Sequence, residues 1–380
     1  MRITVVTWDG GSNRQPFESL CRGLLDRDVD VHVLSHEVHR RLYEDLGARF
    51  DVLPAGEKTP GSRPSAVGER ERVMGVWLSQ EIAEAVVAML NAERVDIAIV
   101  DVSLLTAFAG CEAAATPFIV VHHSLPGAAW SGPRREQFES FIEPVNEVRR
   151  SLGLPAVAGF GELMSLAVAH IVPTAAALDA PVPWGLPLHY VGPLQLVGAE
   201  VNLPELPPRF VLVSFSTTWQ RQVDVLQRAI DALAPLDRAM VVTTGPSVDP
   251  SEVTPAPNTV VVAELPHRPI LHRVDVVVTH AGHGTVFSAL TAGVPLVCMP
   301  MGRDQHDVAR RVVAVEAGLE LDPNDVGHDL VAAVQRVLGE RRFADGATEM
   351  ARCIAGHGGV EAALALIERC VQQRERRGSS

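Results

Sequence analysis

Lysine is almost absent: Lys58 is the only one in 380 residues, so arginine carries nearly all the positive charge. The formal net charge of −13 argues against general binding to nucleic acid or anionic membranes, which needs basic surface, though a local basic patch is not excluded. Cysteine is scarce as well. Cys21, Cys111, Cys298, Cys353 and Cys370 are odd in number and widely spaced, which suits reduced core thiols of a cytoplasmic protein rather than a disulfide framework. Neither Cys-x-x-Cys nor His-Glu-x-x-His spacing occurs, so no metal site is indicated. No segment approaches the ~20 uninterrupted apolar residues of a spanning helix. The longest candidate, 97–121, contains Asp101, Glu112 and Pro117. The apolar run at 3–7 is too short for a secretory signal and has no basic lead, so a soluble protein without membrane insertion is expected.

What is present is a two-domain length and 47% hydrophobic residues, enough for two cores. The chain is organised around the stretch 274–313. There a valine run leads into His280 and the turn Gly282-His283-Gly284-Thr285, after which Val286, Phe287, Ala289 and Leu290 fall on one helical face. Gly293 and Pro295 stop that helix, a second apolar strand follows at 296–299, and Asp304 is placed to cap a further helix. Two strand-to-helix junctions in succession put two loops at the carboxyl edge of a parallel sheet, where open α/β sheets bind ligands. Glycines and the amides after Gly284 at the first junction, with His280 and Thr285 as further donors, make an anion site. Asp304 and Gln305 at the second offer groups that bridge neighbouring hydroxyls. A phosphate-holding turn beside a hydroxyl-reading loop suggests a nucleotide sugar.

The same alternation runs through the rest of the chain. Strands are expected at 3–7, 29–34, 50–53, 97–101 and 118–122, with helices between them, including one long helical region over 66–92 weakly interrupted near Gly75. A proline-rich, aperiodic segment within 193–208 reads as a linker. A second βα series begins at Phe210. The expected organisation is α/β: residues 1–195 and 209–358 as two doubly wound Rossmann-like domains facing across a cleft, a linker at 196–208, and a terminal helix at 359–380.

His-x-Gly-x-Gly-Thr followed at this spacing by Gly-Val-Pro and Asp-Gln resembles the donor signature of the UDP-glycosyltransferase superfamily, the GT-B enzymes that include bacterial natural-product and macrolide glycosyltransferases. The resemblance covers most of the chain and is dense over 264–311. It implies an inverting, metal-independent transfer of a hexose or deoxyhexose from a UDP- or dTDP-sugar to a small hydrophobic acceptor, with the donor as substrate and no cofactor. It also implies that the terminal helix crosses back to the first domain. The acceptor would be lined by the loop at 8–15 and by regions 66–79 and 122–141, with the linker as hinge. A homodimer is left open.

Residue by residue, the resemblance assigns His280, Gly282, His283, Gly284 and Thr285 to the diphosphate, Asp304 and Gln305 to the donor sugar, Ser216 and Thr217 to phosphate, and Leu265 and His267 to the nucleobase segment. Each also has an ordinary alternative: a strand-end histidine, an N-cap aspartate, a Ser/Thr turn. Glu264 stands where relatives carry an aromatic, and His267 where they carry glutamine. The main departure is at the base. Three residues before Pro16, where relatives place histidine or aspartate, stands Asn13, which takes no proton near neutral pH. Asp101 matches the supporting aspartate of relatives, and Asp9, His122 and His123 lie on the same sheet edge. The expectation is that Asp9, Asp101 or His122 replaces the base, or that the acceptor needs little deprotonation. Asp28-Val29-Asp30 resembles an Asp-x-Asp metal signature but sits at an ordinary turn. A non-catalytic nucleotide-sugar-binding protein, a sugar-nucleotide epimerase and a lipid-linked cell-wall transferase are the alternatives.

Overall fold

Runs of valine and isoleucine form the central strands, because β-branched side chains suit a pleated surface buried on both faces. The computed structural model describes residues 1–11, 13–56, 66–195, 203–215, 222–324 and 327–378. The chain divides into two compact units. The first holds residues up to Pro173, the stretch entered at Pro181 and the chain from His357 onward; the second holds Thr174–Ala180 and the chain up to Gly356.

The first unit contains β1 (Arg2–Val6), β2 (Asp30–Ser35), β3 (Arg49–Val52), β4 (Ile97–Asp101), β5 (Phe118–Val121), β6 (Ala169–Val172) and β7 (Leu188–Tyr190). They pair in parallel in the order β3-β2-β1-β4-β5-β6-β7. Side chains alternate across the sheet: Ile3, Val5, Ile97 and Ile99 join one core, Val6, Ala98 and Val100 the other. The first of these cores also takes Ala363, Leu364 and Ile367 of the helix Gly359–Gly378, which packs beside the helix Arg14–Leu25. The strand order reverses between β1 and β4, so their carboxyl ends flank a crevice.

The second unit contains β8 (Phe210–Ser214), β9 (Met240–Thr243), β10 (Thr259–Val262), β11 (Val274–Thr279), β12 (Leu296–Cys298) and β13 (Gly318–Glu320). Their parallel order is β10-β9-β8-β11-β12-β13, and the reversal lies between β8 and β11.

Two local expectations need correction. The region expected as one helix over 66–92 is two, Ala66–Trp77 and Gln80–Ala92, and the break is at Leu78 and Ser79 rather than near Gly75. Ser79 is the reason: its side chain accepts from the Ile82 amide as an N-cap, at 3.3 Å. Asp304 occupies the N-cap position of the helix Gln305–Ala314 but makes no capping bond with its side chain. The backbone there is already helical, which turns the carboxylate away from the first amides. The Asp-x-Asp lookalike is ordinary: Asp28 takes a positive φ in the turn and Asp30 pairs with Arg2 and Arg49.

Stretches 70–92 and 341–374 are long and apolar enough, by length and composition alone, to cross a membrane. Each is interrupted, the first at Leu78 and Ser79 and the second between Ala355 and Gly359, and each supplies core side chains such as Ile82, Val86, Met350 and Leu364. Residues 57–65, 196–202, 216–221 and 325–326 lie outside the described residues, and with them most of the expected linker and both Ser216 and Thr217.

Candidate functional site

In the second unit, the crevice beside β8 and β11 gathers the groups of the signature stretch. β11 ends at Thr279, and the helix His283–Thr291 begins with Gly282 as its N-cap. The helix therefore starts just before Gly284 rather than after it, and its first amides are those of His283, Gly284 and Thr285. Between strand and helix Ala281, fully buried, holds φ at +64°. A non-glycine residue there stores local strain that the surrounding packing must sustain. The second junction repeats the device, with Arg303 at φ +57° just before Asp304.

The His280 imidazole is buried and stacks on Phe215, with centroids 6.3 Å apart. Its ring lies against Gly282, where an added Cβ would come within 2.5 Å of Nε2. Glycine is needed at 282 for that close approach. At Gly284 an added Cβ would meet nothing within 4 Å, so that face of the helix start is open. Burial lowers the His280 pKa to about 4, against the opposing pull of Asp304 and a bond to the Ser214 backbone, with Arg303 and His267 lowering it further. Asp304, Arg303 and His267 thus act on the same ring. Burial also lowers His267 to about 4. Its Nε2 lies 3.2 Å from Ser214 Oγ, which accepts from Thr243 Oγ1 at 2.8 Å. Both histidines are neutral near pH 7 and act as dipolar donors or acceptors.

Leu265 is buried, and His283 stacks on Phe287 at 5.5 Å. Gln305 is buried and its Oε1 accepts from the Met301 amide at 2.7 Å. That bond closes the loop between β12 and the following helix.

In the first unit, the crevice beside β1 and β4 holds a buried polar cluster around Asp101. Its carboxylate is fully buried. Oδ2 accepts from Asn13 Nδ2 at 2.8 Å, and Oδ1 accepts from the Ser103 amide at 2.8 Å. His123 Nε2 lies 3.3 Å from Oδ1 and 2.9 Å from Ser103 Oγ. Burial raises the Asp101 pKa, but the His123, Asn13 and Ser103 contacts outweigh it and hold the carboxyl below its ordinary range. Asn13 also donates to the Trp8 carbonyl at 3.0 Å, and its Oδ1 accepts from the Gly10 amide at 3.1 Å. Both amide hydrogens are used inside the protein. Asn13 is therefore a clamp between the first loop and Asp101.

The two other candidates have partners of their own. The backbone amide of half-buried Asp9 donates to His36 Nδ1 at 3.1 Å. His122 is buried under Trp130, with Nε2 3.1 Å from His170 Nδ1, and burial holds its pKa well below the ordinary histidine value. The histidine that meets Asp101 is the next residue, His123. Ser103 as a partner of Asp101 is the ordinary reading of that aspartate and is present; Ser214, Thr243 and Phe215 carry no signal in the sequence as contacts of the two histidines, because such side chains at strand ends are too common to be selected by spacing alone.

Near the first crevice the aromatics form a chain. Trp8 and Trp77 meet edge-on at 6.5 Å, and Trp77 and Phe141 at 5.9 Å. The indole nitrogens of Trp8 and Trp77 are buried without a hydrogen-bond partner among the described residues. Among those residues, too, no three His, Cys, Asp or Glu side chains converge as a metal site.

Residues 227–362 match the family described as "Erythromycin biosynthesis protein CIII-like, C-terminal domain". The 4'-demethylrebeccamycin synthase of Lentzea aerocolonigenes is 39% identical over 146 residues, which are 38% of this chain and 34% of that protein. The match thus spans about a third of the relative's length. The solved calicheamicin glycosyltransferase aligns with a TM-score of 0.80 at 18% identity, covering 98% of each chain. The glycosyltransferase VinC in complex with dTDP aligns at 0.73 and 17% identity, covering 98% of this chain and 100% of the other. At these identities the structural likeness shows the fold: this chain has the GT-B fold. The resemblance of its signature stretch to the antibiotic-type glycosyltransferases is borne out by the same matches.

Proposed function

We propose that the chain is a glycosyltransferase that moves a hexose or deoxyhexose from a UDP- or dTDP-sugar to a small hydrophobic acceptor, with inversion at the anomeric carbon and without metal. The observation that carries this reading is the open helix start at Gly284 beside the buried His280, at the strand-order reversal of the second sheet. The amides of His283, Gly284 and Thr285 and the imidazole of His280 hold the diphosphate and take up the leaving-group charge. Asp304, whose side chain does no capping, and Gln305 read the sugar hydroxyls. Leu265 and His267 lie along the nucleobase. Ser216 and Thr217 remain assigned to phosphate. In the first unit Trp8, Trp77 and Phe141 form the acceptor wall, and the two buried indole N–H groups suit an apolar ligand carrying a hydrogen-bond acceptor. The relative solved with dTDP makes that nucleotide the first to try.

The reading is tested by calorimetric titration of UDP and dTDP into the wild type and His280→Ala. The expected result is binding of one of them that the substitution weakens about ten- to a hundredfold, the worth of a hydrogen bond to a charged group. No binding of either nucleotide would overturn the reading. A second reading, a nucleotide-sugar-binding protein without turnover, is favoured by one observation: Asn13 is fully engaged inside the protein and unsuited to act on an acceptor. Nucleotide binding without transfer to any acceptor would select it.

A further inference from the structure

We propose that two buried hydroxyls, Thr243 and Ser214, form a relay that fixes His267 as a hydrogen-bond donor to a carbonyl oxygen of the nucleobase. The proposal rests on the nucleotide-sugar reading and gives positions 214 and 243 a part in nucleotide selection that the resemblance does not assign.

Ser214 ends β8 and Thr243 ends its neighbour β9, and the two residues are partners in the strand register. Both are buried. Their hydroxyls lie 2.8 Å apart, and Ser214 Oγ lies 3.2 Å from His267 Nε2. The row of three polar groups admits two proton orders. In one, Thr243 donates to Ser214 and Ser214 donates to Nε2, which places the imidazole proton on Nδ1. In the other, Nε2–H donates to Ser214 and Ser214 donates to Thr243, whose own proton then has no acceptor among the described residues. A buried donor without an acceptor costs more than a hydroxyl oxygen with a spare lone pair, so the first order prevails.

His267 is therefore protonated on Nδ1, and that nitrogen makes no bond among the described residues. Burial holds the pKa to about 4, so near pH 7 the ring has this one proton and does not donate from both nitrogens. The two hydroxyls are sealed in the protein, whereas His267 is only partly buried and carries the relay to an accessible edge. Its backbone is held as well. The Thr244 and Gly245 amides donate to the carbonyls of Val262 and Ala263 at 3.1 and 2.8 Å, and the Ile270 and Leu271 amides both donate to the His267 carbonyl at 3.0 Å. Ser214 also bonds the His280 ring through its backbone, so one residue places a histidine for the diphosphate and another for the nucleoside.

A fixed N–H selects an oxygen lone pair and rejects another donor. Uracil and thymine both present two carbonyl oxygens, O2 and O4, on either side of a single N–H. The relay thus suits the base of UDP and of dTDP alike.

The experiment uses the full chain with UDP, dTDP and the 2-thio and 4-thio analogues of whichever nucleotide binds, followed by calorimetric titration. Sulfur is the poorer acceptor, so one analogue should bind about three- to tenfold more weakly than its parent, the worth of a neutral hydrogen bond, and its identity names the carbonyl. That discrimination should fall within twofold in His267→Ala. It should shrink in Thr243→Val, which keeps the side-chain volume and removes the first proton of the relay. Equal binding of parent and both analogues, or a discrimination that persists in His267→Ala, would overturn the proposal while leaving the donor reading intact. Failure of the wild type to bind either nucleotide would overturn both. A second measurement needs no nucleotide: in the 15N-histidine-labelled chain, His267 should show a protonated Nδ1 and a bare Nε2, and Thr243→Val should mix the two tautomers. A wild-type His267 protonated on Nε2, or a tautomer unchanged in Thr243→Val, would overturn the relay.

Discussion

Gly282 and Asn13 show how much of each crevice hangs on a single atom. A methyl group at 282 would sit 2.5 Å from His280 Nε2, and the ring, stacked on Phe215, must turn away to admit it. Gly282→Ala should therefore weaken UDP or dTDP binding about tenfold or more, approaching the effect of His280→Ala. Calorimetric titration, with circular dichroism to check the fold, reads this; unchanged affinity would remove His280 from the nucleotide site. Asn13→Asp places a second carboxylate against Asp101 in a site where both side chains are buried. Two such groups cannot both ionise, so one is held protonated in the folded state with a raised pKa. The folded variant then binds more protons than the unfolded chain, and stability is lost as pH rises through that raised value. We expect a penalty of about 2–4 kcal/mol at pH 8 that shrinks at pH 5, measured as the difference in urea midpoints from wild type at the two pH values. Asn13 and Asp101 were legible in the sequence as a departure and a match. The choice between His122 and His123 was not, because consecutive loop residues face different ways and only the backbone path decides which one reaches Asp101.

At the scale of elements, the alternation of valine runs with helical spacing made nearly every strand of both sheets readable. Strands buried on both faces leave the plainest signal, as in Ile97–Asp101, where every residue is buried. What the spacing concealed was the end of a helix. Apolar residues continue through Val76, Trp77, Leu78 and Ile82 with no proline or glycine at the break, so periodicity carries across it. The stop is a lone serine cap, and Gly75, which looked like the interruption, sits exposed within the helix Ala66–Trp77 with nothing within 4 Å of where a Cβ would be. The two residues have opposite expected effects. Ser79→Ala should lower stability by about 1 kcal/mol through the lost cap, and Gly75→Ala should raise it by about 0.5–1 kcal/mol through helix propensity. Denaturant midpoints of the two variants decide it, and equal shifts of one sign would contradict the placement of the break. Asp304 and Gln305 illustrate a similar limit: their position at a helix start could be read, but whether either side chain caps depends on backbone angles that spacing does not encode.

For the molecule as a whole, the buried histidines set the response to acid. Burial lowers His170, His267 and His280 to about 4 and His122 well below its ordinary value. Unfolded histidines take up their protons near pH 6.5. Between that value and about 4 the unfolded chain binds protons that the folded protein refuses, so stability is complete above about pH 7 and falls as the pH drops. Each of the three histidines held near 4 accounts for about 3 kcal/mol over the full interval, with a slope approaching about 1.4 kcal/mol per pH unit. His122 adds to the slope in the same sense. Carboxylates held low, such as Asp101, lose their contribution only at lower pH and do not offset the trend. Two of the histidines belong to each unit, so both units should weaken together. Urea midpoints followed from pH 8 to pH 4.5 should stay level down to about pH 7 and then fall steeply, with unfolding in dilute buffer before pH 4. Midpoints that remain level to pH 4.5 would mean that these rings accept protons in place, and the neutral donor role assigned to His280 would fall with them.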